Sequence, residues 1–200
     1  MKKIIVFVIT IMLTVALAAC GSGQESANTV PVSTPTPEPS EQSTPVQTSA
    51  PEESQSVEDI VYEFEFSDLD GTVHKLSDYR GQPVYLRVWA SWCSVCLSSL
   101  DKLDALAGED NDFAVLSVVM PDLSGEKSAE DFTKWYKDLG YKNLTVLLDP
   151  DGQIVYDFGI NAFPSQIMFD AEGHIAYGVV GLMDTDLIKQ TMEKIAAGDM

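Results

Sequence analysis

Along residues 61–66 of this 200-residue chain polar and apolar side chains alternate (Val61, Tyr62, Glu63, Phe64, Glu65, Phe66), the period-two pattern of a strand with one face on a core. Asp70 and Gly71 supply a turn, and residues 73–76 read as a second short strand, so the pair predicts a lead-in hairpin. Residues 83–89 are apolar at nearly every position, which suits a strand buried on both faces of a sheet. The spacing of Val95, Leu97, Leu100, Leu103 and Leu106 then predicts one helix over residues 94–107, stopped by Gly108. A buried strand over 113–119, an amphipathic helix over 129–139 and a short strand over 144–148 follow. Strand, helix, strand, helix, strand is the order of parallel crossovers. Beyond Asp151 and Gly152, residues 154–158 read equally well as a short helix or a short strand. Residues 166–169 and 174–179, joined through Asp170 and Gly173, predict an antiparallel hairpin, and residues 184–197 a closing helix. The expected fold class is α/β, and no internal repeat is visible.

The first 57 residues follow no such pattern. Met1, Lys2 and Lys3 precede an apolar run over 4–15 and then small residues, the three regions of a secretory signal. The apolar run is shorter than the roughly 20 residues a spanning helix takes, so residues 1–19 are expected to be removed. Leu17, Ala18, Ala19 and Cys20 resemble the lipobox of bacterial lipoproteins, in which the cysteine is acylated and becomes the N-terminus. Two or three acyl chains on Cys20 would hold the chain at a membrane, at about 0.8 kcal/mol per buried methylene. Residues 21–57 are rich in Ser, Thr, Pro, Gln and Glu, with no Lys or Arg. Such a stretch cannot bury a core and serves as a tether, its ends about 35 Å apart as a flexible coil. Residues 58–200 are the right length for one domain.

A formal net charge of −19 leaves no basic patch for nucleic acid. With Cys20 committed to lipid, only Cys93 and Cys96 remain of the three cysteines. A disulfide between them closes too short a loop to stabilise the fold much, so chemistry is favoured over reinforcement. A metal site built from the pair with His74 and His174 is disfavoured, because neither histidine has ligand spacing, and no metal is expected. Both histidines read as surface or turn residues.

The cysteines stand where a buried strand feeds a helix, and that placement makes an otherwise weak Cys-x-x-Cys signal specific. Cys93 at the helix start meets unpaired backbone N–H groups and the positive dipole end, which favour its thiolate. It is the expected nucleophile. Cys96, one turn on and on the same helical face, is the expected resolving thiol. Exchange between them and a substrate disulfide needs no cofactor. Trp89 is expected in the core and Trp92 over the cysteines. Pro164, just before a predicted strand, is either an ordinary trans proline or a cis proline that exposes the Phe163 backbone beside the cysteines. Arg87, anomalous in an apolar strand, is expected to pair with Asp149 or Asp170 or to reach the strand edge.

Residues 89–96 (Trp-Ala-Ser-Trp-Cys-Ser-Val-Cys), Pro164 and the order of elements resemble the thioredoxin-like family of TlpA and ResA type. The resemblance implies a thioredoxin fold: a central mixed sheet flanked by helices, here with an N-terminal β-hairpin extension. It also implies Cys93 as nucleophile, Cys96 as resolving cysteine and Pro164 as a cis-proline beside a substrate groove shared with Trp92 and Phe163. Residues 75–79, 87–97 and 135–139 are further similar to the surface thioredoxin-like lipoproteins of Gram-positive bacteria and to thioredoxin domains fused to some methionine sulfoxide reductases. That likeness implies electron transfer from a CcdA-type membrane thiol carrier to an extracytoplasmic MsrAB-type reductase. Three positions depart from the wider family. Arg87 stands where cytoplasmic thioredoxins carry a buried Asp, Ser94 and Val95 replace Gly-Pro, and Ser99 replaces the Glu usual in relatives that serve cytochrome c maturation. Reduction of apocytochrome c, disulfide oxidation, and a binding lipoprotein with a redox-inert disulfide are the competing expectations.

Overall fold

The computed structural model of the chain describes residues 60–200. The expected signal over 1–19, the lipid-bearing Cys20 and the tether with its boundary near residue 58 lie outside the described residues.

The alternation over 61–66 buries Phe64 and Phe66 and half-buries Tyr62, but the strand itself, β1 (Glu65–Asp68), starts later. Before it the backbone makes one bridge, Val61 to His174. Side chains on one face are thus sequestered whether or not their backbone joins a ladder. β2 (Val73–Lys75) pairs antiparallel with β1, as the hairpin pattern predicts, and continues into a 3-10 turn over Leu76–Tyr79.

The remaining strands are β3 (Val84–Val88), β4 (Ala114–Val119), β5 (Thr145–Leu148), β6 (Ser165–Phe169) and β7 (Ile175–Val180). The sheet order is β2-β1-β5-β4-β3-β6-β7, with β3, β4 and β5 parallel and the outer strands antiparallel. β3, in the middle, is buried at every residue. Its even-numbered side chains, Val84, Leu86 and Val88, pack with Phe64, Phe66, Leu147 and Phe169 on one face. Tyr85 and Trp89 face the other way, into the core formed with Leu103, Phe132, Tyr136 and Ile188. That second face is covered by α2 (Leu100–Ala107), α3 (Ala129–Leu139) and α5 (Thr185–Ala197).

Residues left open between helix and strand form α4 (Gln153–Asp157), because the buried Asp149 carboxylate accepts from the N–H groups of Gln153 and Ile154 and starts a turn. The single helix expected over 94–107 is instead two, α1 (Ser94–Leu97) and α2, separated at Ser98 and Ser99. Ser99 leaves helical geometry at φ −127° and ψ 7°, its hydroxyl donating to the Cys96 carbonyl while accepting from Arg87. A serine side chain that bonds the preceding turn competes with the helical ladder. The break also divides the predicted apolar stripe: Leu100, Leu103 and Leu106 are buried, whereas Val95 and Leu97 are exposed.

Candidate active site

β3 ends at Val88, and residues 89–93 carry the chain from the sheet into α1. Trp89 is fully buried, donating its backbone N–H to Val118, so this loop leaves the sheet from a fixed point. A carboxylate then fastens it. Glu126, buried in the loop between β4 and α3, accepts from the Ser91 N–H and the Ser91 hydroxyl, both at 2.5 Å. Lys127 completes the lock, its Nζ 2.6 Å from Ser91 Oγ and 4.9 Å from the centre of the Trp135 ring. Nothing in the spacing of Glu126 and Lys127 signals this role, since the loop that carries them has no period.

Cys93 occupies the N-cap of α1, and its Sγ accepts the Cys96 N–H at 3.1 Å. The two cysteines are joined as a disulfide. Cys93 retains 7% exposure and Cys96 only 1%, so a partner approaching from solvent meets Cys93 first.

The second wall of the site comes from β6, which runs antiparallel to β3 with Ser165 opposite Val88. This register sets the preceding residues beside the cysteines. The Phe163–Pro164 bond is cis, and the Phe163 carbonyl oxygen lies 3.7 Å from Cys93 Sγ. In the disulfide that sulfur has no proton, so the approach is a contact; a reduced Cys93 thiol there could donate to the same oxygen. Trp92, 53% exposed, sets its ring edge-on to Phe163 at 5.7 Å. Trp92, Cys93, Cys96, Phe163 and Pro164 are therefore brought together from two segments of the chain that lie far apart in sequence.

Arg87 is placed differently from expectation. It is 2% exposed and pairs with neither candidate carboxylate: Asp149 is bonded to the start of α4, and Asp170 to its own turn. Its Nε instead donates to the Tyr85 hydroxyl at 3.2 Å, and its Nη1 to Ser99 Oγ at 3.1 Å. Burial pushes the Tyr85 phenol above its ordinary value, and Arg87 pulls partly against that.

His74 and His174 stay apart from the cysteines, each bonded to the aspartate that opens its turn: Asp68 at 3.2 Å and Asp170 at 2.9 Å. Asp170, Glu172 and His174 could together face a cation, but Asp170 already accepts two N–H groups and the imidazole.

The Redoxin family model matches residues 46–195. Among solved structures, the chain is similar to the pneumococcal exposed lipoprotein thioredoxin Etrx1 of Streptococcus pneumoniae strain TIGR4, at 46% identity and a TM-score of 0.64, over 66% of this chain and 99% of that one. It is 28% identical to the thiol-disulfide oxidoreductase ResA of Geobacillus thermodenitrificans, over 66% of this chain and 74% of the relative. It is 31% identical to the thiol:disulfide interchange protein DsbE of Vibrio cholerae, over 70% and 73%. Matches of this length, joined to a cysteine pair at the start of the helix that follows the central strand, mean that the chain belongs to the Redoxin family as a thiol–disulfide oxidoreductase with a thioredoxin fold.

Proposed function

We propose that the chain is a lipid-anchored, extracytoplasmic electron donor that takes electrons from a CcdA-type membrane thiol carrier and delivers them to an MsrAB-type methionine sulfoxide reductase. The observation that carries the chemistry is the unequal burial of the two sulfurs, with the more accessible Cys93 facing the Phe163 carbonyl. The Cys93 thiolate attacks a client disulfide, forming a mixed disulfide and expelling one client sulfur as a thiolate. Cys96 then attacks Cys93, the second client sulfur leaves, and the pair ends oxidised while the client gains two electrons and two protons. The protein needs no cofactor beyond its cysteines. Trp92, Phe163 and Pro164 form the surface on which an extended client segment lies, with the Phe163 and Trp92 rings set edge-on to one another.

The lipobox-like residues 17–20, and similarity to a protein whose description is an exposed lipoprotein, support attachment through Cys20 at the outer face of the cell membrane. The client rests on the similarity of residues 75–79, 87–97 and 135–139 to donors of that reductase. Ser99 in place of Glu speaks against apocytochrome c.

Mixing the full-length Cys96→Ser variant, reduced, with an oxidised MsrAB-type reductase tests this assignment. A disulfide-linked adduct through Cys93 is expected, dissolved by dithiothreitol and absent when Cys93 is also Ser. An adduct with a haem-attachment peptide but not with the reductase would move the client to cytochrome maturation. Adducts with neither would overturn the donor reading.

A further inference from the structure

A buried arginine ordinarily faces a carboxylate, because an unpaired charge in the interior is costly. Among the described residues no carboxylate lies within salt-bridge distance of Arg87. Its named partners, Tyr85 Oη and Ser99 Oγ, are neutral oxygens. The strand register extends the anomaly: Arg87 lies opposite Ser117 of β4 and Gln166 of β6, both buried. A polar row thus crosses the centre of the sheet beneath the cysteine-bearing turn. Among the described residues the Arg87 guanidinium donates hydrogen bonds to neutral oxygens and makes no salt bridge.

Cys96 is what that charge is tied to. Arg87 Nη1 donates to Ser99 Oγ at 3.1 Å, and Ser99 Oγ donates to the Cys96 carbonyl at 3.2 Å, so two hydrogen bonds join the guanidinium to the backbone of the buried cysteine. A cavity of about 70 Å³ adjoins the cluster, lined by Arg87, Ser98, Ser99, Lys102, Asp184 and Thr185. Its other ionisable groups are of both signs. Lys102 from α2 adds a second cation, Asp184 is engaged in capping α5 through the Asp186 N–H, and the buried Tyr85 phenol stays neutral. Beyond the loop, Glu126 and Lys127 meet at Ser91.

We propose that Arg87 is a positioning residue for Cys96, its fixed cation favouring the thiolate of the resolving cysteine where the wider family uses a buried carboxylate as proton acceptor. This rests on the reading of Cys96 as the resolving thiol. The Cys96 proton leaves to solvent, and the thiolate then attacks Cys93. The new bond is Cys96 Sγ to Cys93 Sγ, the bond broken is Cys93 Sγ to the client sulfur, and the client thiolate takes up a proton from water.

The test uses the full-length chain with Cys20→Ser and Cys93→Ser, which leaves Cys96 as its one thiol. The pH midpoint of its ionisation is followed by thiolate absorbance, with no partner present. The midpoint is expected below the ordinary thiol value of about 8.5. Adding Arg87→Met should raise it by about one unit, roughly tenfold less thiolate at a fixed pH below the midpoint, and Arg87→Lys should restore most of the loss. A parent midpoint at or above the ordinary value, or one that Arg87→Met leaves unmoved while lowering only thermal stability, would overturn the proposal. Should Arg87→Met not fold, Arg87→Lys is decisive alone: it must keep the midpoint below the ordinary value, or the proposal fails. Because no client enters the measurement, its outcome is independent of the adduct experiment.

Discussion

At the scale of single residues, three side chains set the site apart: Cys93, which solvent reaches; Cys96, which it does not; and Glu126, which fixes the loop between them and the sheet. The Glu126 contribution is open to direct measurement. Its carboxylate accepts the Ser91 N–H, the Ser91 hydroxyl and the Lys127 N–H, so Glu126→Ala leaves buried donors without partners. Hydrogen bonds to a charged group each contribute about 1.5–3 kcal/mol, and a buried donor left unpaired costs a similar amount. Urea unfolding of Glu126→Ala should therefore show a loss of about 2–3 kcal/mol, with a partial loss for Glu126→Gln, which keeps one acceptor. A variant as stable as the parent would mean that the loop is held by Trp89 alone.

At the scale of elements, one turn design recurs at opposite ends of the sheet. Between β1 and β2, Asp68 Oδ1 accepts the N–H groups of Asp70 and Thr72, and Oδ2 meets His74. Between β6 and β7, Asp170 Oδ1 accepts those of Glu172 and His174, and Oδ2 meets the His174 ring. Each turn has its glycine three residues after the aspartate, Gly71 at φ +85° and Gly173 at φ +87°. At Gly173 a Cβ would also collide with the Arg80 guanidinium. Burial pushes the Asp68 and Asp170 carboxyls up, but the backbone N–H groups and the histidines outweigh it and hold both below the usual 3.8. A depressed carboxyl gives stability that is present above 3.8 and lost as the pH falls through its folded value. Asp68→Asn and Asp170→Asn should thus lower the urea midpoint at neutral pH, with the deficit shrinking as the pH falls below 3.8 and through the folded value. A deficit that persists unchanged into acid would assign their effect to turn geometry instead. Asp149 has the opposite sign. Burial raises its carboxyl despite the α4 N–H groups, so its share of stability is present in acid and lost as the pH rises through the folded value.

At the scale of the whole molecule, β3 is shared by two cores, since its alternate residues enter the two faces of one sheet. Damage to either face should therefore be felt by both. Phe132 of α3 is fully buried against Trp89, Trp135 and Tyr136, and truncating such a side chain costs about 3–5 kcal/mol. Phe132→Ala should lower the urea midpoint accordingly, with tryptophan fluorescence from that face and far-ultraviolet circular dichroism from the sheet moving together. Two separated transitions would show that the face carrying β1, β2 and α4 unfolds on its own.

The sequence alone determined the α/β class, the β1–β2 and β6–β7 hairpins, the α3 boundaries over 129–139 and the position of the cysteine pair at a strand–helix junction. Each is a short-range matter: a period of two or 3.6, a turn residue, or a spacing of three is complete within a few neighbours. Tertiary structure decided what depends on partners distant along the chain. Phe163 lies 70 positions from Cys93, and only the β3–β6 register brings its carbonyl to the sulfur. Glu126 reaches Ser91 across 35 positions, and Arg87 finds Ser99 instead of either expected aspartate. The break between α1 and α2 has the same origin. A helical pattern cannot show that Ser99 will be drawn from the ladder by an arginine on a neighbouring strand, because that competition exists only once strand and helix are packed.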